Sequence, residues 1–105
     1  MSMTIQEFGE LLETTGFPVA FFQFPKEAPH DPPFICYITT GSTPFGADGK
    51  TYYSGENIQV ELYTVKRDKE AQSVVENTLA SFYFLKNEGF LKDEGMYMTT
   101  YQLSL

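Results

Sequence analysis

The chain has 105 residues, 42% of them hydrophobic and 16% aromatic, with ten Phe, seven Tyr and no Trp. That length and apolar content fit one domain with its own core and exclude a disordered chain. Fourteen acidic against seven basic residues leave a net charge of −7, which argues against binding nucleic acid or an acidic partner and suits solubility, or a wall past which DNA slides without sticking.

Thr4 opens the pattern Thr4-Ile5-Gln6-Glu7, a capping box. Ile5, Phe8, Leu11 and Leu12 follow at helical spacing and Gly16 stops the run, so the spacing predicts a helix from about Thr4 to Thr15. Pro18 to Phe24 is rich in aromatic and β-branched residues and predicts a strand. Pro25 to Pro33 holds four of the six prolines and predicts an exposed loop. Phe34 to Thr40 predicts a second strand. Asn57 to Thr64 predicts a third, because Ile58, Val60 and Leu62 alternate with Gln59, Glu61 and Tyr63. Glu61 is then on the polar face.

After a break at Lys66 to Lys69, Asp68 caps a long predicted helix that reaches about Lys86. Its apolar stripe is Ala71, Val74, Val75, Leu79 and Phe82, with Phe84 and Leu85 extending the packing. Gly89 to Lys92 and Met96 to Leu105 predict two strands joined by the turn Lys92 to Gly95. The order is α-β-β-β-α-β-β. Short links imply antiparallel pairing. The expected fold is a two-layer α+β domain over residues 1–105, with both helices packed on one antiparallel sheet.

Residues 40–55, Thr-Gly-Ser-Thr-Pro-Phe-Gly-Ala-Asp-Gly-Lys-Thr-Tyr-Tyr-Ser-Gly, test for phosphate binding. A phosphate loop needs GxxxxGK[ST] between a strand and a helix N-terminus. Gly49-Lys50-Thr51 supplies the end of the motif, but Pro44 stands where its first glycine belongs, and Tyr52-Tyr53 and a strand follow. Ala47-Asp48-Gly49-Lys50 fits a tight turn instead. Residues 41–56 are thus expected to form a long β-hairpin arm.

The chemistry-bearing residues are sparse. Cys36 is the single cysteine, so no internal disulfide forms; it lies in an apolar run and reads as core. His30 is the one histidine, and His30 with Asp31 falls short of the three or four ligands of a metal site. Ser54 and Ser81 have no base nearby, and no GxSxG elbow is present. No catalytic, cofactor or metal residues are expected. No signal peptide and no apolar run near ~20 residues is present, so a cytoplasmic protein is expected. Tyr is enriched at protein interfaces. Tyr52 and Tyr53 on the arm are expected to be of that kind, whereas Tyr63, Tyr97 and Tyr101 fit an interface or packing beneath the helices equally well.

Three pieces carry a family resemblance: Pro32-Pro33-Phe34 leading into a strand, the arm Phe45 to Tyr53, and Asn57 to Thr64 followed by a charged break and a helix. From about Gly16 to Leu105 the chain resembles small morphogenesis proteins of long-tailed phages and prophages of Gram-positive bacteria, the tail terminator and tail-completion proteins. The resemblance implies a structural protein of the virion with no enzyme activity and no cofactor. It implies a ring, usually a hexamer, that caps the tail tube and docks on the head. The implied partners are further copies of the chain, the major tail tube protein and a head-closure protein; no membrane and no specific nucleic-acid site enter. Phe45, Asp48, Lys50, Tyr52 and Tyr53 are then the expected interface residues. Two other readings stay open: a head-closure or neck protein, and a small acidic regulatory protein binding a basic partner.

Overall fold

The computed structural model describes residues 3–25, 30–47 and 50–105, with backbone alone over 42–47 and 50–54. Seven elements follow in order: α1 (Ile5–Glu13), β1 (Val19–Phe21), β2 (Phe34–Ala47), β3 (Lys50–Thr64), α2 (Lys69–Thr78), β4 (Leu85–Leu91) and β5 (Met96–Ser104). The strands form one sheet in the order β1-β2-β3-β5-β4. Both helices pack on it, as the α+β expectation requires.

Local chemistry sets the helix starts. The Thr4 hydroxyl accepts from the Glu7 amide, and the Glu7 carboxylate accepts from the Thr4 amide, so two unpaired donors of the first turn are satisfied together. The Asp68 carboxylate accepts from the Ala71 amide at 3.0 Å and caps α2.

The helix side of the sheet is the core. Ile35, Ile58, Val60, Leu62, Tyr101 and Leu103 from the strands meet Phe8 and Leu12 of α1 and Ala71, Val75 and Leu79 around α2. The Phe8 ring meets Tyr37 and Phe82 edge-on, at 6.1 and 5.8 Å, and Phe84 meets Tyr101 at 5.2 Å. The alternation along β3 holds as expected: Ile58, Val60 and Leu62 are buried, whereas Gln59, Glu61 and Tyr63 line the opposite, helix-free face.

Four expectations need correction. The sheet is mixed, because β1 runs parallel to β2 with Val19 opposite Ile35 and Phe21 opposite Tyr37. The twelve residues 22–33 between them are long enough to carry the chain back to the same end. β1 is also shorter than expected. Phe22 takes a left-handed φ of 73°, which breaks the extended run. The second helix stops at Thr78, and β4 begins at Leu85. Thr78 Oγ donates to the Val74 carbonyl, a bond that competes with helix continuation, and Phe82-Tyr83-Phe84 suit an extended chain. Val74 is exposed and Gln72 takes the buried place beside Ala71. Among the predicted loops, residues 26–29 lie outside the described residues, as do Asp48 and Gly49 of the predicted tight turn.

Candidate interaction surfaces

The arm is the longest feature. β2 pairs with β3 from Phe34 opposite Tyr63 to Ala47 opposite Lys50. β5 accompanies β3 only as far as Ser104 opposite Asn57, where the Leu105 amide closes on the Glu56 carbonyl. Beyond that point β2 and β3 pair only with each other among the described residues, so residues 42–47 and 50–56 form a two-stranded ribbon within the arm expected over 41–56. A register shift with Gly41 at φ 127° marks its root. The molecule measures 49 × 28 × 27 Å.

The expected interface residues gather here. Phe45 stands opposite Tyr53, Lys50 opposite Ala47, and Tyr52 falls at the second register shift. Asp48 lies outside the described residues.

The other tyrosines separate. Tyr101 is a core residue, fully buried under α2, with its hydroxyl donating to Glu76 Oε2 at 2.9 Å. Burial first, and then that carboxylate, push its phenol well above the ordinary range. Tyr97 donates to Glu88 Oε1 at 2.9 Å. Tyr63 lies on the helix-free face, stacked on Phe34 at 4.8 Å, and donates to Glu61 Oε1 at 3.0 Å.

That helix-free face holds a groove of about 390 Å³, walled by Phe22, Phe34, Ile38, Tyr63 and Met96 and carrying two carboxylates, Glu61 and Glu94. Glu61 is half-buried, and its two oxygens accept from Tyr63 and from Gln59 Nε2. Both donors are neutral. Among the described residues neither Glu61 nor Glu94 has a cationic partner, since the ion pairs there are Arg67–Glu88 and Lys86–Glu76. Cys36 sits beneath the groove, 4% exposed. Burial first, and the nearby Glu61 charge second, push its thiol up to about 11. It is a shielded side chain, as the sequence suggests.

A second polar cluster joins α2 to β4 and β5. Glu88 accepts from Arg67 Nε at 2.9 Å, from Gln72 Nε2 at 2.8 Å and from Tyr97. These bonds, led by the guanidinium, hold its carboxyl down at about 2. Gln72 is itself buried and also donates to Thr99, while its carbonyl accepts from Lys86. Every member has a partner, so the cluster serves to fix α2 on the sheet.

Among the described residues, no group of three His, Cys or carboxylate side chains is arranged to hold a metal ion, and no helix is long and apolar enough to cross a membrane. Sequence reasoning missed the groove. Its walls come from the residues just after β1, from β2 and β3, and from the β4–β5 turn with the start of β5, and only the strand register brings them together. The alternation along β3 placed Glu61 on the right face and was the one available signal. The chain matches no known family model and no curated protein.

Proposed function

We propose that the chain is a structural protein of a long-tailed phage or prophage virion: a tail terminator subunit that forms a ring, a hexamer in the family it resembles, on the end of the tail tube. The arm carries this reading. A two-stranded ribbon has open hydrogen-bonding edges on both sides and is marginal alone, so a neighbouring chain is its natural complement. The acidity supports it as well, since a net charge of −7 suits a passage that DNA crosses without adhering.

In this reading the ring stops tube growth and offers the surface that meets the head-closure protein. The chain works in the host cytoplasm during assembly and in the virion afterwards, without a catalytic step or a cofactor. The test is solution mass by light scattering, with and without the cognate tail tube protein. A closed ring, alone or on tube ends, is expected. A monomer that ignores tail tubes would refute the reading.

A further inference from the structure

Phe22 is held at a φ of 73°, a left-handed backbone that a bulky side chain rarely adopts and that its surroundings must enforce. Its amide donates to the Tyr37 carbonyl at 2.7 Å, yet its ring stays 62% exposed. Burial of that ring therefore does not offset the strain. The ring instead walls the groove on the helix-free face, together with Phe34, Ile38, Tyr63 and Met96. Glu61 and Glu94 lie in the same groove, and neither has a cationic partner among the described residues. The two Glu61 oxygens each accept one bond from a neutral donor, the Tyr63 hydroxyl and Gln59 Nε2, and each can accept a second. Aromatic rings attract a cation, a carboxylate pairs with one, and the stem of an arginine or lysine packs on apolar walls.

The charges decide what can seat there. Among the described side chains of the sheet the one basic residue is Lys86, and it points to the helix side, where Glu76 and Gln72 engage it. Two copies meeting through this face would bring four carboxylates together with no cation between them. With fourteen acidic and seven basic residues, a second copy in any other orientation is also repelled overall. A basic protein is drawn to the same surface. We infer that the groove docks a basic segment of a different protein, with an arginine or lysine against Glu61 and Glu94 and an apolar neighbour against Phe22. The inference holds whether or not the chain forms a ring.

The test follows the Ile38 and Met96 methyl signals of the full chain by NMR. The probe is acetyl-Leu-Arg-Leu-amide, and its control carries neutral citrulline in place of the arginine. The arginine peptide is expected to shift both signals saturably and to bind roughly tenfold more tightly than the control, with the gap narrowing as salt rises. Glu61→Gln keeps the shape of the side chain and is expected to remove most of that gap without changing the melt. Phe22→Gly relieves the left-handed backbone, so it is expected to melt no lower than the wild type while weakening the arginine peptide roughly fivefold. Equal binding of the two peptides, or a gap that Glu61→Gln leaves intact, overturns the inference. A Phe22→Gly variant that melts lower and binds normally overturns the place of Phe22 in the site. n-Butylguanidinium is the third probe: if it binds as tightly as the arginine peptide, the groove takes a small free cation and docks no protein segment. If the two signals already shift as the chain alone is concentrated, the occupant is another copy and the inference fails. Light scattering tests the ring separately, and neither result decides the other.

Discussion

Gly9 of α1 rests directly on the hydroxyl of Tyr37 in β2: a Cβ at residue 9 would overlap that oxygen and lie 3.0 Å from the ring carbon bearing it. Tyr37 cannot swing aside, because Phe8 and Phe21 meet its ring edge-on at 6.1 and 5.3 Å. Gly9→Ala gains about 1 kcal/mol of helix propensity but overpacks the site, which costs about 1–3 kcal/mol. A net loss of stability is expected in urea melts. Adding Tyr37→Phe removes the colliding oxygen and is expected to recover part of the loss. Equal stability of Gly9→Ala and the wild type would show that α1 can lift off the sheet freely.

Glu88 makes stability depend on acid. Its carboxyl is near 2 in the folded chain against an ordinary value of 4.5. Between those values the unfolded chain binds the extra proton, so stability rises with pH there. The contribution is complete above about 4.5 and fades as pH falls toward 2. Melting temperatures measured from pH 6 to 2 should fall less steeply for Glu88→Gln than for the wild type. Parallel curves would remove Glu88 from the acid response.

Tyr101 separates packing from hydrogen bonding. Its ring is fully buried and its hydroxyl reaches Glu76, which also pairs with Lys86 at 2.7 Å. Tyr101→Phe is expected to cost about 0.5–1.5 kcal/mol, since Glu76 keeps its lysine. Tyr101→Ala removes a core aromatic and is expected to cost about 3–5 kcal/mol. Denaturant titration of both variants measures the two terms. Similar losses would mean that the hydroxyl, and not the ring, holds the site.

Cys36 should report unfolding. With its thiol near 11, about one molecule in a thousand carries the reactive thiolate at pH 8, and 4% exposure shields it further. A neutral thiol reagent is expected to label it only at the rate at which the chain opens. Labelling as fast in buffer as in urea would contradict the burial.

Removing Gly46 to Tyr53 and closing the ribbon with a short turn should leave the melt close to wild type, because none of the core residues is deleted. On the proposed tail terminator reading, assembly of infectious particles is expected to fail. Normal particle yield from the truncated chain would separate the arm from function.

The sequence was most readable where one physical rule acted alone. Thr4 with Glu7 marked the start of α1, and the alternation from Ile58 to Tyr63 marked β3 and its buried face. The arm boundaries followed from the glycines and from the unbroken extended residues around them. The second helix was misjudged because Leu79 and Phe82 continue helical spacing while the backbone has already left the helix; both still pack on the core. Tyr101 alternated like its neighbours, and only α2 lying over it makes it a core residue. The parallel β1 and the groove depend on which strands become neighbours, and no local pattern encodes that. Glu61 and Glu94 were visible in the sequence, but their meeting in one groove needed the register.

The register shift at Gly41 gives the ribbon a mechanical property. Six residues, Ser42–Ala47, extend past the last three-stranded level, where Gly41 faces Asn57, a lever of roughly 20 Å at the rise of an extended strand. A bulge is where a hairpin bends and twists most readily, so a rotation of about 10° at Gly41 carries the end of the ribbon roughly 3.5 Å. That displacement is comparable to the spacing between adjacent strands. The end of the ribbon can thus shift by most of one strand's width while the core stays still.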